Sequence, residues 1–188
     1  MKIVLKLVES INLNQALLQI IKNQAKSLEE VRIGSSLGFP DEIGLEELIK
    51  DLPWSDFHHL KDLDICCRRN GDNTGIESVS SGQAAPSKSL TAAKGYGVKS
   101  VSISVYYPDA IQFSPSVNMK SERQIYRDLA RCVAQLIDKS AIPGGPENWL
   151  HILQPASNPC EDPRASAHET TLKQAFIAEI NGCLGMVN

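Results

Sequence analysis

Two segments of strand character, Lys61 to Arg68 (KDLDICCR) and Val98 to Tyr107 (VKSVSISVYY), are separated by a stretch from Arg69 to Gly97 that holds only loop chemistry. Its GDNTG, SSGQAAPS and KGYG runs favour turns and resist packing. Structureless connections beyond roughly 12 to 15 residues are uncommon inside compact domains and are usually functional arms, lids or linkers. This insert is about twice that bound. The two strands therefore cannot form a tight hairpin, and the expectation is a flexible arm at residues 69–97 that reaches for a partner.

The 188 residues suit one domain, 1–188, carrying that arm. An apolar fraction of 42% and a charged fraction of 22% are those of an ordinary globular chain. The net charge of −3 argues against direct nucleic-acid binding, which draws on clustered Lys and Arg. The opening MKIVLKLVE is interrupted by Lys6 and lacks the apolar core of a secretory signal, and no run approaches a membrane span. Cys66, Cys67, Cys132, Cys160 and Cys183 are odd in number with no CxxC pair, so they read as reduced thiols of a protein made in the cytoplasm.

Met1 to Val8 alternates as a strand, and Leu17, Ile20, Ile21, Leu28 and Val31 recur at helical spacing, predicting a helix over 14–31. Asp41 to Leu52 predicts a second helix closed by Pro53. Leu63, Ile65 and Cys67 alternate with Asp62, Asp64 and Cys66, a strand with one acidic face. Val101, Ile103, Val105 and Tyr107 alternate with Ser100, Ser102, Ser104 and Tyr106, the cleanest period of two in the chain. Ser121 and Gln124 predict a capping box at the start of a helix whose apolar face is Ile125, Tyr126, Leu129, Cys132, Val133, Leu136 and Ile137. Trp149 to Ile152 reads as a short strand, and residues 156–166 as irregular. Leu172, Ala175, Phe176, Ile180, Cys183 and Leu184 fit a helix, although TLKQAFIAEI also fits a strand. No internal repeat is visible. The fold class expected is α/β (α+β), a mixed, mainly antiparallel sheet with helices on one face.

Catalytic signatures are missing from the pattern. There is no GxSxG, no phosphate-binding glycine loop, and no closed metal-ligand spacing around His58 and His59 or around His151, Cys160 and His168. Asp62 and Asp64 fall on one strand face and could hold Mg²⁺ for a nuclease or hydrolase, the alternative reading. Arg123, Arg127 and Arg131 form a helical stripe suited to an acidic partner, in a small regulatory binding module. Together with Tyr96 in the insert and the Ser100, Ser102 and Ser104 face, they are the candidate interaction residues; no cofactor or metal is expected.

The order of VKSVSISVYY, SERQIYRDLARCVAQLI and TLKQAFIAEI resembles the layout of tailed-bacteriophage head-tail junction proteins, of the tail-terminator or tail-completion and neck type. That resemblance implies a non-catalytic structural protein, a homo-oligomeric ring component of a virion that meets other assembly proteins, with arms latching neighbouring subunits.

Overall fold

Entering three of the strands, an apolar residue is followed by a second three positions on and a third two positions further. The sets are Leu28, Val31 and Ile33; Leu60, Leu63 and Ile65; and Val98, Val101 and Ile103. In the computed structural model all nine side chains are buried, and the three sets occupy equivalent places. The second and third members lie on a strand facing the core, and the first precedes the strand. The structure describes residues 2–5, 11–33, 44–69, 98–107, 119–137, 145–153 and 163–185.

The strands are β1 (Lys2–Leu5), β2 (Glu30–Ile33), β3 (Asp62–Arg68), β4 (Ser100–Tyr106) and β5 (Leu150–Leu153). They form one sheet in the order β1-β2-β3-β4-β5, every neighbouring pair parallel. The register aligns the repeated triplets: Val31, Leu63 and Val101 make one row, and Ile33, Ile65 and Ile103 the next core-facing row, with β1 paired alongside β2. Between and after the strands run α1 (Ile11–Gln24), α2 (Leu45–Asp51), α3 (Met119–Ala134) and α4 (Pro163–Leu184). Sequential order with parallel strands requires every crossover to turn the same way, and right-handed crossovers place their helices on one face of the sheet. Burial agrees, since the side chains of β2 to β5 that are buried all lie on the face with Leu63, Ile103 and Ile152. The architecture is an α/β layer, a parallel sheet with helices packed on one face.

The expected mixed, mainly antiparallel sheet is therefore corrected to an all-parallel one within an α/β fold. Alternation of apolar and polar residues ordinarily marks an antiparallel sheet with one wet face, because parallel sheets are usually covered on both faces. Here the sheet is parallel and the described residues of β2 to β5 are buried on one face, so the alternation reported one-sided burial and carried no information on direction. The helix predicted over 14–31 is likewise divided: α1 ends at Gln24, a 3-10 turn follows at Ala25–Ser27, and β2 occupies Glu30–Ile33. Leu28 and Val31, three apart, satisfy a helical stripe and the repeated triplet equally well. The internal repeat escaped the sequence reading because its copies, beginning at Leu28, Leu60 and Val98, are unequally spaced.

Ser121 lies inside α3, which begins at Met119, and Gln124 donates to Asp128 Oδ1 at 2.9 Å instead of completing a capping box. The predicted apolar face of α3 holds, with Tyr126, Leu129, Val133 and Leu136 fully buried. Residues 163–184 are helical, and His168, Leu172, Phe176, Ile180 and Leu184 form its buried stripe at a spacing of four. Pro163 stands at the first helical position, where its missing N–H costs nothing, and Gly185 ends the helix at φ 63°. Helix α4 packs along α3, and α3 touches α2, so the helices form a continuous second layer. Of the insert, Arg69 is described and is buried; Tyr96 and the rest of the arm, 70–97, lie outside the described residues.

Candidate functional site: the open sheet face and its rims

The face of the sheet turned away from the helices carries Glu30 and Arg32 from β2, Asp62, Asp64, Cys66 and Arg68 from β3, Ser100, Ser102, Ser104 and Tyr106 from β4, and His151 and Leu153 from β5. None of these side chains is buried. Register sets them in rows across the strands: Glu30, Asp62, Ser100; Arg32, Asp64, Ser102; Cys66, Ser104, His151; and Arg68, Tyr106, Leu153. Arg32 Nε meets Glu30 Oε1 at 2.7 Å along β2. The last row differs in chemistry, since it places a guanidinium, a phenol and a leucine side by side at the carboxyl end of the strands. Leu153 is 45% exposed, unusual for a large apolar side chain.

At the carboxyl rim the ladder continues one residue past β3, where Arg69 N–H donates to Tyr106 O at 2.8 Å. That bond turns the Arg69 side chain under the helices. Its Nη2 meets Glu122 Oε1 at 2.6 Å, Nε meets Glu122 Oε2 at 3.4 Å, and Nη1 pairs with Glu46. Glu46 and Glu122 lie in the first turns of α2 and α3, where carboxylates are favoured by the helix dipole. Tyr107 OH and Tyr126 OH share a hydrogen bond of 2.8 Å, and Tyr107 OH donates to Glu122 Oε2 at 3.5 Å. Burial pulls the Arg69 guanidinium toward losing its proton, but the bond and charge of Glu122 and the charge of Glu46 outweigh it and hold the cation more firmly than in water. Burial also raises both phenols above the ordinary tyrosine range, with the Glu122 carboxylate reinforcing it at Tyr107. At neutral pH the Arg69 guanidinium stays charged and the two phenols stay protonated, and with Glu46 and Glu122 they tie α2, β3, β4 and α3 together.

The sequence-derived candidates separate accordingly. Ser100, Ser102 and Ser104 stand together on the open face. Arg123, Arg127 and Arg131 lie on exposed positions of α3, in the other layer, and so do not share a surface with the serines. Arg131 is engaged by Glu179 Oε1 at 2.7 Å and Asp128 Oδ1 at 3.0 Å. Asp62 and Asp64 are on the open face beside Glu30 and Arg32. His58 and His59 sit before β3 at the amino rim, His151 is exposed on β5, and His168 is buried in α4; Cys160 lies outside the described residues. Among the described residues, no group of three His, Cys, Asp or Glu side chains is placed to hold a metal ion, and no helix is long and apolar enough to cross a membrane. Sequence reading missed the Arg69 clamp because Arg69 was counted with the insert. Its one legible signal was an arginine directly after a strand with a glutamate opening the next helix.

Comparison of the chain with protein-family models, with curated proteins and with solved structures finds no match.

Proposed function

We propose that this chain is a non-catalytic protein-binding module that offers its open sheet face to a partner. The observation that carries the reading is that no described element covers this face. All-parallel sheets occur almost only with both faces covered. The neighbouring Tyr106 and Leu153 supply the anchor, since aromatic side chains dominate binding hot spots. The polar rows toward the amino end supply the rim that sets orientation, with alternating acids, cations and serine hydroxyls.

The ring-forming role implied by the likeness to phage junction proteins is the case in which the partner is a second copy of the chain. The parallel sheet and the helix at 163–184 replace the mixed sheet and closing strand on which that likeness was drawn. A heterologous partner is therefore the better supported occupant.

A photo-crosslinking side chain placed at Tyr106, compared with one placed at Arg127 on α3, tests the reading in the cells that make the protein. A discrete adduct from Tyr106, reduced by Leu153→Asp and not seen from Arg127, is the expected result. Equal adducts from both positions, or none from Tyr106, would overturn it. Light scattering on the purified protein separates the two occupants: a monomer at all concentrations goes with a heterologous partner, and oligomers dissolved by Leu153→Asp go with self-assembly.

A further inference from the structure

At the opposite rim, the residues immediately before β3 and β4 continue the ladder. Lys61 N–H donates to Glu29 O at 2.8 Å, and Lys99 N–H donates to Lys61 O at 2.6 Å. Glu29, Lys61 and Lys99 thus form one more row, beyond the last row of the sheet. Together with Lys26 from the 3-10 turn and His58 and His59 from the loop before β3, they line a pocket of about 520 Å³. That volume falls within the usual range of small-molecule sites, roughly 300 to 1,000 Å³, and exceeds what a bare inorganic anion fills.

The charge of this pocket runs against that of the chain. In a protein of net charge −3, three lysines and two imidazoles from three separate chain segments converge on one concavity with, among the described residues, a single carboxylate. That carboxylate is already neutralised: Lys61 Nζ meets Glu29 Oε2 at 2.5 Å. Lys26 and Lys99 have no ion-pair partner among the described residues, and both are exposed. Ammonium groups bind phosphate as compact point charges with several donors, and imidazoles add N–H donors or a flat wall. The backbone beneath is fixed by the ladder bonds and by His58 N–H donating to Asp56 O at 2.9 Å, so the three segments that carry the cations are held side by side.

From this arrangement we infer that the amino-rim pocket binds a small phosphorylated molecule, with Lys26 and Lys99 on its phosphate and the histidine-bearing loop against the remainder. The site is separate from the open face and does not depend on what that face binds. Titration of the purified protein with inorganic phosphate and with phenyl phosphate at low salt, followed by amide chemical shifts, tests it. Saturable one-to-one binding is expected, with shifts concentrated at residues 26–29, 58–61 and 99, and tighter for phenyl phosphate than for inorganic phosphate. The Lys26→Ala/Lys99→Ala pair should weaken binding about ten-fold or more. The Arg123→Ala/Arg127→Ala pair on the equally exposed face of α3, and Leu153→Asp on the open face, should leave it unchanged. Shifts that do not saturate, that spread over the surface, or that weaken equally in the α3 pair would overturn the assignment. All replaced side chains are exposed, and circular dichroism of each variant verifies that the fold persists.

Discussion

Arg69 is the side chain on which the most depends. Only 10% of it is exposed, and its two partners come from different helices. Glu122 is nearly as enclosed, whereas Glu46 is 41% exposed and can be solvated. Arg69→Ala leaves Glu122 enclosed and uncompensated, so a loss on the order of 3 kcal/mol is expected in urea unfolding. Replacing Arg69 and Glu122 together by methionine should recover most of that loss, because it removes both desolvated charges at once. His168 makes the second prediction at this scale. Burial lowers its pKa below the usual histidine value; the Glu122 carboxylate opposes that and the Arg123 guanidinium adds to it. In the window between the lowered folded value and the ordinary unfolded one, the unfolded chain binds the extra proton, so this contribution is complete above the ordinary value and is lost as pH falls through the window. The urea midpoint should drop between about pH 7 and about pH 5, and drop less in His168→Leu. An identical drop in both proteins would remove His168 as its cause.

Among the elements, the three apolar triplets carry equivalent loads in successive units. Leu60 precedes β3, is wholly buried, and stands where Leu28 and Val98 stand in the units on either side. Leu60→Ala should cost about 2 to 5 kcal/mol, the range for truncating a buried leucine, although Leu60 belongs to no strand or helix. A loss below about 0.5 kcal/mol, the usual effect of a surface change, would show that the triplets are not a structural repeat. The helices show a different balance of signals. The apolar face of α3 was readable because seven apolar positions fall on one stripe. The start of α3 was not, because Ser121 and Gln124 satisfy a capping pattern that the chain overrides by beginning the helix at Met119. In α4, a buried stripe at a spacing of four left the choice of helix open in the sequence, since the intervening Ala175 and Ile177 are also apolar and equally compatible with a strand.

For the molecule as a whole, the last helix completes the helical layer. Helix α4 packs against α3, so a chain ending before Pro163 would uncover the side of α3 that α4 contacts. Such a chain is expected to bind a hydrophobic dye and to lose a single cooperative transition. The sequence determined the one-sidedness of β3 and β4, the apolar face of α3 and the lack of a local catalytic motif, because each of these is written in the spacing of side chains a few positions apart. Strand direction, the equivalence of Leu28, Leu60 and Val98, the burial of Arg69 and the row of Arg68, Tyr106 and Leu153 were decided only by the tertiary structure. Each depends on which distant segments lie side by side, and a period of two is the same whether the neighbouring strand runs with it or against it.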